Sequence, residues 1–530
     1  MKKIIKDYKI LLLVLLSFFS FSINYYYGNI GVFPIDTFAF FDTAYNILLD
    51  RHPFKDVWIT TGPLVDYIQA AFFLIFGLKW SSLVIHASLI NLLVSVLFYL
   101  ILIKHGLNAF LSFFYSISLS ILCYTIAGTP FAYIHSYAIS LVSILIFTLA
   151  VKNKSNLLWF FLPFSMLVSF LCMQTPSAYI NFILIFFSLV YFFINFDLKN
   201  IFYFIFGSIV ILFFFTLFLF LFEIPFINFI QQYLLFPLSI GENRITGNDM
   251  AHITLADKFT VRNVFGHFKF INFFLIVIIS LTLLNYSKKF KNYLSKEEII
   301  INFTLFFSGI AFIFHQLITS NQTFIFSLIP FLAGFSHVIL RKYFSENKIL
   351  NLLIIFLVFF STVKYHSVYN MKRKFMDLQN VDLNNSVKGD LLDIKFENLR
   401  WITPSFPFNP EKEISLLKEI IEVLKNDKRN KMVITEYQMF SIILEQNLNI
   451  PNRWYTHDNN SYPLENHKYY KFYKKHFAGL ITKNNIEVIY ITGFVTGDSK
   501  IKNFQIYMDD TCFIEEEINE ISTMYELRKC

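Results

Sequence analysis

The sequence predicts an α-helical polytopic membrane protein with a small α/β domain in its C-terminal third. Three observations carry that prediction. Hydrophobic residues fill 55% of the 530 positions and charged residues only 15%, against about 25% charged in a soluble domain. Apolar runs of about 20 residues, the length that crosses a bilayer core, recur through the first two thirds of the chain. Beyond about Ser367 that pattern stops and a soluble composition takes over. A disordered chain and a fully cytosolic enzyme are excluded by a mean hydropathy of +0.53. Four Cys in 530 residues exclude a disulfide scaffold. Cys123 and Cys172 lie in apolar runs, and Cys512 and Cys530 could pair but show no framework spacing.

The apolar runs begin near Ile10, Ser82, Ala109, Phe131, Leu157, Ala178, Ile201, Phe268, Ile299, Phe324 and Ile349. They predict about eleven transmembrane helices. The first follows Met1-Lys2-Lys3 and leads into Ser22-Ile23-Asn24-Tyr25-Tyr26-Tyr27 without a small-x-small cleavage site, which reads as an uncleaved signal anchor.

Charge supplies the orientation. Residues 1–366 hold 23 Lys/Arg against 14 Asp/Glu, and residues 367–530 hold 22 against 23. With the N-terminus in the cytoplasm, the inner turns carry Lys2, Lys3, Lys6 and Lys9; Lys104; Lys152 and Lys154; Lys199; Lys288, Lys289, Lys291 and Lys296; and Arg341, Lys342 and Lys348. The short outer turns near Thr129, Thr175 and Ser320 carry no Lys or Arg, as the positive-inside rule requires. An odd number of spans puts the tail on the extracytoplasmic side. The basic surplus is thus a topology signal. No basic stripe interleaved with aromatics appears, so nucleic acid is set aside as a partner.

Residues 1–366 are therefore read as the transmembrane domain and 367–530 as a soluble extracytoplasmic domain. Two outer loops, 28–80 and 223–267, are too long for simple turns and mix aromatics with charges, which predicts interfacial helices. In the tail, Glu413 to Leu424 has apolar positions at helical spacing. Met432-Val433-Ile434-Thr435 and Val488-Ile489-Tyr490-Ile491 read as buried strands, with helices near 438–445 and 468–482. This alternation predicts a small α/β layer. The tail shows no phosphate-binding glycine loop, Cys/His metal spacing or nucleophile elbow, and reads as a substrate-side or structural cap.

The chemistry concentrates in the first outer loop. Asp36 sits just past the first span, before an apolar helical run. A carboxylate held there would suit a general base that accepts a proton from an acceptor hydroxyl. The bland alternative is a helix N-cap.

Asp36, Ala44 eight positions on, Pro53-Phe54-Lys55-Asp56, Pro63-Leu64 and Phe76-Gly77 together resemble the acidic first-loop motif of the GT-C-fold glycosyltransferases. That group includes the protein O-mannosyltransferases, the lipid A aminoarabinose transferases and other bacterial enzymes using polyprenyl-phosphate sugars. The match is tight over about fifty residues and loose over the rest. Two departures stand out. The family's Asp-Glu pair is Asp36-Thr37 here, and the acidic-Lys-Pro triplet is Thr61-Gly62-Pro63, lacking both charges that a metal or phosphate contact would use.

The resemblance implies an integral membrane glycosyltransferase in a bacterial inner membrane. It would move a hexose or pentose from a polyprenyl-phosphate donor to an extracytoplasmic glycan, lipid or protein, in polysaccharide or lipopolysaccharide biosynthesis. Asp36 would be the catalytic base, with inversion at the anomeric carbon. Asp56 and Lys55 would face substrate. A phosphate leaving group calls for oriented cations; Arg244 is the first choice, with Arg51, Lys258 and Arg262 behind it and lipid-headgroup anchoring as the alternative. A polar cluster near the outer ends of the ninth and tenth runs, His315, Gln316, Thr319, Ser320, Asn321 and Gln322, could grip the phosphosugar or form interhelical hydrogen bonds. Gln174 and His135 are weaker candidates. No metal ligands are assigned, and a divalent cation stays open as a cofactor. The rivals are a polysaccharide polymerase or ligase, which would lack the Asp36-to-Gly77 pattern, and a lipid-linked saccharide flippase or transporter, which would need charged or broken spans at mid-membrane.

Overall fold

The computed structural model describes residues 2–246, 254–287, 293–319, 325–344, 347–456, 459–493, 502–508 and 511–530. Among the described residues, a helix stands within each of the apolar runs, and the start expected near Phe324 lies outside those residues. The helices are α1 (Lys2–Gly28), then Trp80–Lys104, Ala109–Leu122, Ala132–Asn153, Asn156–Cys172, Ser177–Asn195, Leu198–Leu221, Lys269–Leu284, Lys296–Ile318, Leu328–Phe344 and Lys348–Tyr365. Among the described residues, 7 helices are long and apolar enough to cross a membrane. An eighth is reached if Lys269–Leu284 is counted with Leu255–His267, from which it bends by 77°. Others of the expected spans form shorter helices. Ala109–Leu122 ends before Gly128 and Pro130, and Asn156–Cys172 before Pro176, where the backbone can no longer continue a helix.

Two compact units arise from this chain. The first contains Met1–Gly28, Ala87–Thr216 and Thr254–Phe375. Ala132–Asn153 is its most buried long helix, whereas about half of the residues of Leu198–Leu221 are exposed. Interhelical polar contacts fix the packing. Asn24 Nδ2 donates to Ser88 Oγ at 2.9 Å. Asn91 Nδ2 donates to Ser20 O at 2.9 Å and Ser120 O at 3.1 Å. In an apolar surround such amides hold one helix register against another. Gly128, at φ +77, lets the backbones touch, since a Cβ there would lie 2.5 Å from Gly28 Cα. Lys154–Glu297 at 3.2 Å and the Lys342–Glu298 ion pair join three of the turns that the charge pattern assigns to the inner side.

The second unit contains Asn29–His86, Leu217–Ile253 and Met376–Cys530, gathering the first long loop and part of the second with the tail. The loops are partly helical: α2 (Pro34–Thr37), α3 (Ala39–Leu48) and α4 (Pro63–Phe76), with Phe226–Phe229 and Phe236–Thr246 in the second loop. Leu74 and Ile75 on α4, and Phe226, Ile227, Leu238 and Ile245 of the second loop, are exposed apolar side chains. Among the described residues the tail has six strands: β1 (Val387–Lys388), β2 (Arg400–Trp401), β3 (Lys431–Thr435), β4 (Val488–Thr492), β5 (Thr511–Asn519) and β6 (Ser522–Lys529). The main sheet runs β3-β4-β6-β5, with β3 and β4 parallel and the other pairs antiparallel. Buried β3 and β4 lie in the same unit as helices Pro410–Asn426 and Tyr470–Lys483. Asn409 caps the first of these by accepting from Lys412 N at 3.1 Å. The β5–β6 hairpin, closed by a Cys512–Cys530 disulfide with a Cα–Cα separation of 5.1 Å, was not predicted. Its charged, alternating sequence resembles surface helix as much as edge strand.

Candidate active site

The first loop is pinned where it leaves α1. Gly31 N donates to Arg400 O at 2.9 Å and Val32 N to Ile402 O at 3.0 Å. Gly31 takes φ +66 beneath Leu378, whose Cδ1 would lie 2.2 Å from an added Cβ. The chain then turns into α2. Phe33, not Asp36, is the N-cap residue, and its N–H donates to Thr37 Oγ1 at 3.1 Å. The capping alternative for Asp36 is therefore not the arrangement adopted. Trp454 Nε1 donates to Ile35 O at 3.1 Å and fixes the peptide next to Asp36.

Asp36 is half-buried, with burial weighing on its carboxyl. No described residue gives its side chain a hydrogen bond or a salt bridge. Burial pushes its pKa up to about 7, and the negative charge of Asp377 adds to the rise. A carboxylate that is partly exposed, unpaired among the described residues and raised toward neutrality can take up and release a proton at working pH.

Behind it stands a buried polar network that sequence reasoning missed. Asp66, on the first turn of α4, and Arg453, from the tail, form an ion pair with both side chains at 0% exposure. Thr43 Oγ1 donates to Asp66 Oδ1 at 2.6 Å. Arg453 also donates to Thr61 O and stacks over Phe40 at 4.5 Å, while its Nε finds no acceptor. Burial pushes the Asp66 carboxyl up, and Arg453 and Thr43 pull it back down. Asp42, 1% exposed, accepts from Ser441 Oγ at 3.2 Å through Oδ2, and its Oδ1 accepts from nothing. Burial lifts Asp42 to about 7, with Ser441 and Arg51 pulling the other way. A lone Asp in each apolar run, Phe38–Tyr45 and Pro63–Ile68, was the available signal, because a buried carboxylate demands a partner. Nothing in the tail sequence marked Arg453 or Ser441 as those partners.

The remaining predicted residues fall in both units. Asp56 is 5% exposed and accepts from His52 N at 3.1 Å and Lys483 Nζ at 2.9 Å. Lys55 pairs with Glu223 at 3.0 Å. Arg51 is spent on structure, donating to Asn46 Oδ1 at 2.8 Å and Asn447 Oδ1 at 2.7 Å. Arg244 lies half-buried in the last turn of helix Phe236–Thr246. In the first unit, His315 Nε2 lies 3.0 Å from Thr175 Oγ1 and its ring stacks on Tyr133 at 5.1 Å. Gln316 Nε2 donates to Tyr133 Oη at 2.7 Å. Both residues thus make the interhelical contacts weighed as an alternative. His135 is buried against Tyr124 Oη, Lys258 Nζ donates to Ile318 O at 3.3 Å, and Arg262 is exposed. Gln174 is half-buried in the turn before Ser177–Asn195, its main-chain oxygen accepting from Ala178 N at 2.8 Å. Asn321 and Gln322 lie outside the described residues. Among the described residues, no group of three or more His, Cys, Asp or Glu side chains is placed to hold a metal ion.

No family model and no curated protein matches the chain. Among solved structures it is similar to the crystal structure of ArnT from Cupriavidus metallidurans bound to undecaprenyl phosphate. Identity is 10%, the TM-score 0.49, and the alignment covers 97% of each chain. So low an identity carries no residue roles from that protein to this one.

Proposed function

We propose that this protein is an inverting membrane glycosyltransferase of GT-C type that uses a polyprenyl-phosphate sugar and works at the extracytoplasmic face of a bacterial inner membrane. Its acceptor is a glycan, a lipid or a protein. The observation that carries the reading is Asp36: a half-buried carboxylate just past the first span, with no cation paired to it among the described residues and its pKa raised by burial. In the transfer step the acceptor O–H gives its proton to Asp36 while its oxygen attacks the anomeric carbon. The bond from that carbon to the donor phosphate breaks on the opposite face, and the electron pair leaves with polyprenyl phosphate. One base and an in-line leaving group suffice, with no covalent sugar–enzyme intermediate. Arg244 and Lys55, from loops gathered in the same unit, are the cations proposed to meet the leaving phosphate. Asp56, in the same unit, stands as a further substrate contact, whether or not a divalent cation assists.

The donor class is tested with a panel of radiolabelled polyprenyl-phosphate sugars supplied to purified protein together with membrane extract as the acceptor source. Label moving from one donor into extract, only when the protein is present, is the expected result. A full panel of hexosyl and pentosyl donors left intact refutes the proposal.

A further inference from the structure

Asp36 does not stand alone. The chain returns to α2 at Met376–Leu378, and both flanking residues touch the first loop. Thr37 Oγ1 donates to Met376 Sδ at 3.5 Å, and Leu378 fills the space above Gly31. Asp377, between these two anchors, is therefore held against the 31–37 turn. It adopts φ 54, a left-handed conformation that Asp tolerates better than most residues. Its side chain is exposed whereas Met376 and Leu378 are buried.

We propose that Asp377 is a positioning residue for the reaction, its fixed negative charge keeping Asp36 a competent base; this rests on the reading of Asp36 given above. On α3, which packs against α2, Asp42 accepts from Ser441 Oγ at 3.2 Å, and two cations of the same unit are committed elsewhere. Arg453 is engaged by Asp66 and Thr61 O. Arg400 donates to Ser386 Oγ at 3.1 Å and Leu383 O at 2.8 Å. Neither cation pairs with Asp36, and Asp377 is the charged group that acts on it, reinforcing burial. A second carboxylate nearby disfavours ionisation of the first, so Asp36 binds the acceptor proton more strongly than it would alone. Because Asp377 faces water, its influence is screened by salt.

The test is the pH profile of kcat/KM for Asp377→Asn and Asp377→Glu beside wild type. Loss of the charge is expected to move the acid limb down by about half a pH unit, while Asp377→Glu restores the wild-type limb. A packing role alone would change the rate without moving the limb. An unmoved limb in Asp377→Asn overturns the inference. Should that variant not accumulate, raising salt to about 1 M on wild type must shift the limb the same way; a limb indifferent to salt overturns it equally. The underlying reading fails separately, by retention of activity in Asp36→Asn.

Discussion

Arg453→Met should be among the most damaging single substitutions in the second unit. Both members of the Asp66–Arg453 pair are at 0% exposure, so removing the guanidinium strands a carboxylate whose remaining donor is Thr43 Oγ1. Breaking a buried pair from one side costs about 3–5 kcal/mol. The stack over Phe40 and the bond to Thr61 O disappear with it. Asp66→Asn strands the guanidinium instead and should cost a similar amount. Replacing both, as Asp66→Leu with Arg453→Met, leaves no uncompensated charge and should recover about 2 kcal/mol or more relative to the sum of the singles. The assay is thermal unfolding of detergent-solubilised protein at one scan rate, reading midpoints for all four members of the cycle. Single variants that melt with wild type, or a double variant as damaged as the singles combined, would refute the reasoning.

Further outcomes follow from other contacts. Asp42 is raised to about 7 by burial, so its folded state favours the protonated form; the stability it contributes is present below the unfolded value near 4 and is lost as pH rises through about 7. Asp42→Asn should therefore stabilise the protein at pH 8 by up to about 4 kcal/mol relative to its effect at pH 4, and a pH-independent effect would contradict the assignment. Gly31→Ala should lower the unfolding midpoint, because its φ +66 and the Leu378 contact both oppose a Cβ, at a cost of about 1–3 kcal/mol; an unchanged midpoint would show the loop to be looser than described. Denatured protein should show two thiols to alkylation before reduction, Cys123 and Cys172, and four after it; four at the outset would exclude the disulfide. Asp50 is 94% exposed, so Asp50→Cys in an otherwise Cys-free chain should be labelled by an impermeant reagent from outside the cell, and labelling only from the cytoplasmic side would reverse the orientation.

The sequence made the helices legible because each apolar run must satisfy its own backbone in lipid, and that requirement is local. The same locality exposed β3 and β4, whose residues are uniformly buried. It also singled out Asp36, a charge placed where a span gives way to an amphipathic segment. What stayed hidden depends on residues far apart in the chain. The pairs Asp66–Arg453 and Asp42–Ser441 span 387 and 399 positions, and no periodicity encodes them. Arg51 shows the converse. As a cation in the right loop it suited a phosphate contact, but Asn46 and Asn447 had already enlisted it. Nor could charge pattern reveal that Asp377, one acid among many in the tail, would come to rest beside α2.

The central claim is that Asp36 takes the acceptor proton during sugar transfer. Single-turnover transfer from the preferred polyprenyl-phosphate donor, wild type against Asp36→Asn, tests it most directly. The substitution conserves shape and removes only the basic oxygen. Transfer should fall by about 100-fold or more with donor binding and unfolding midpoint unchanged. A variant that transfers sugar at the wild-type rate would contradict the account.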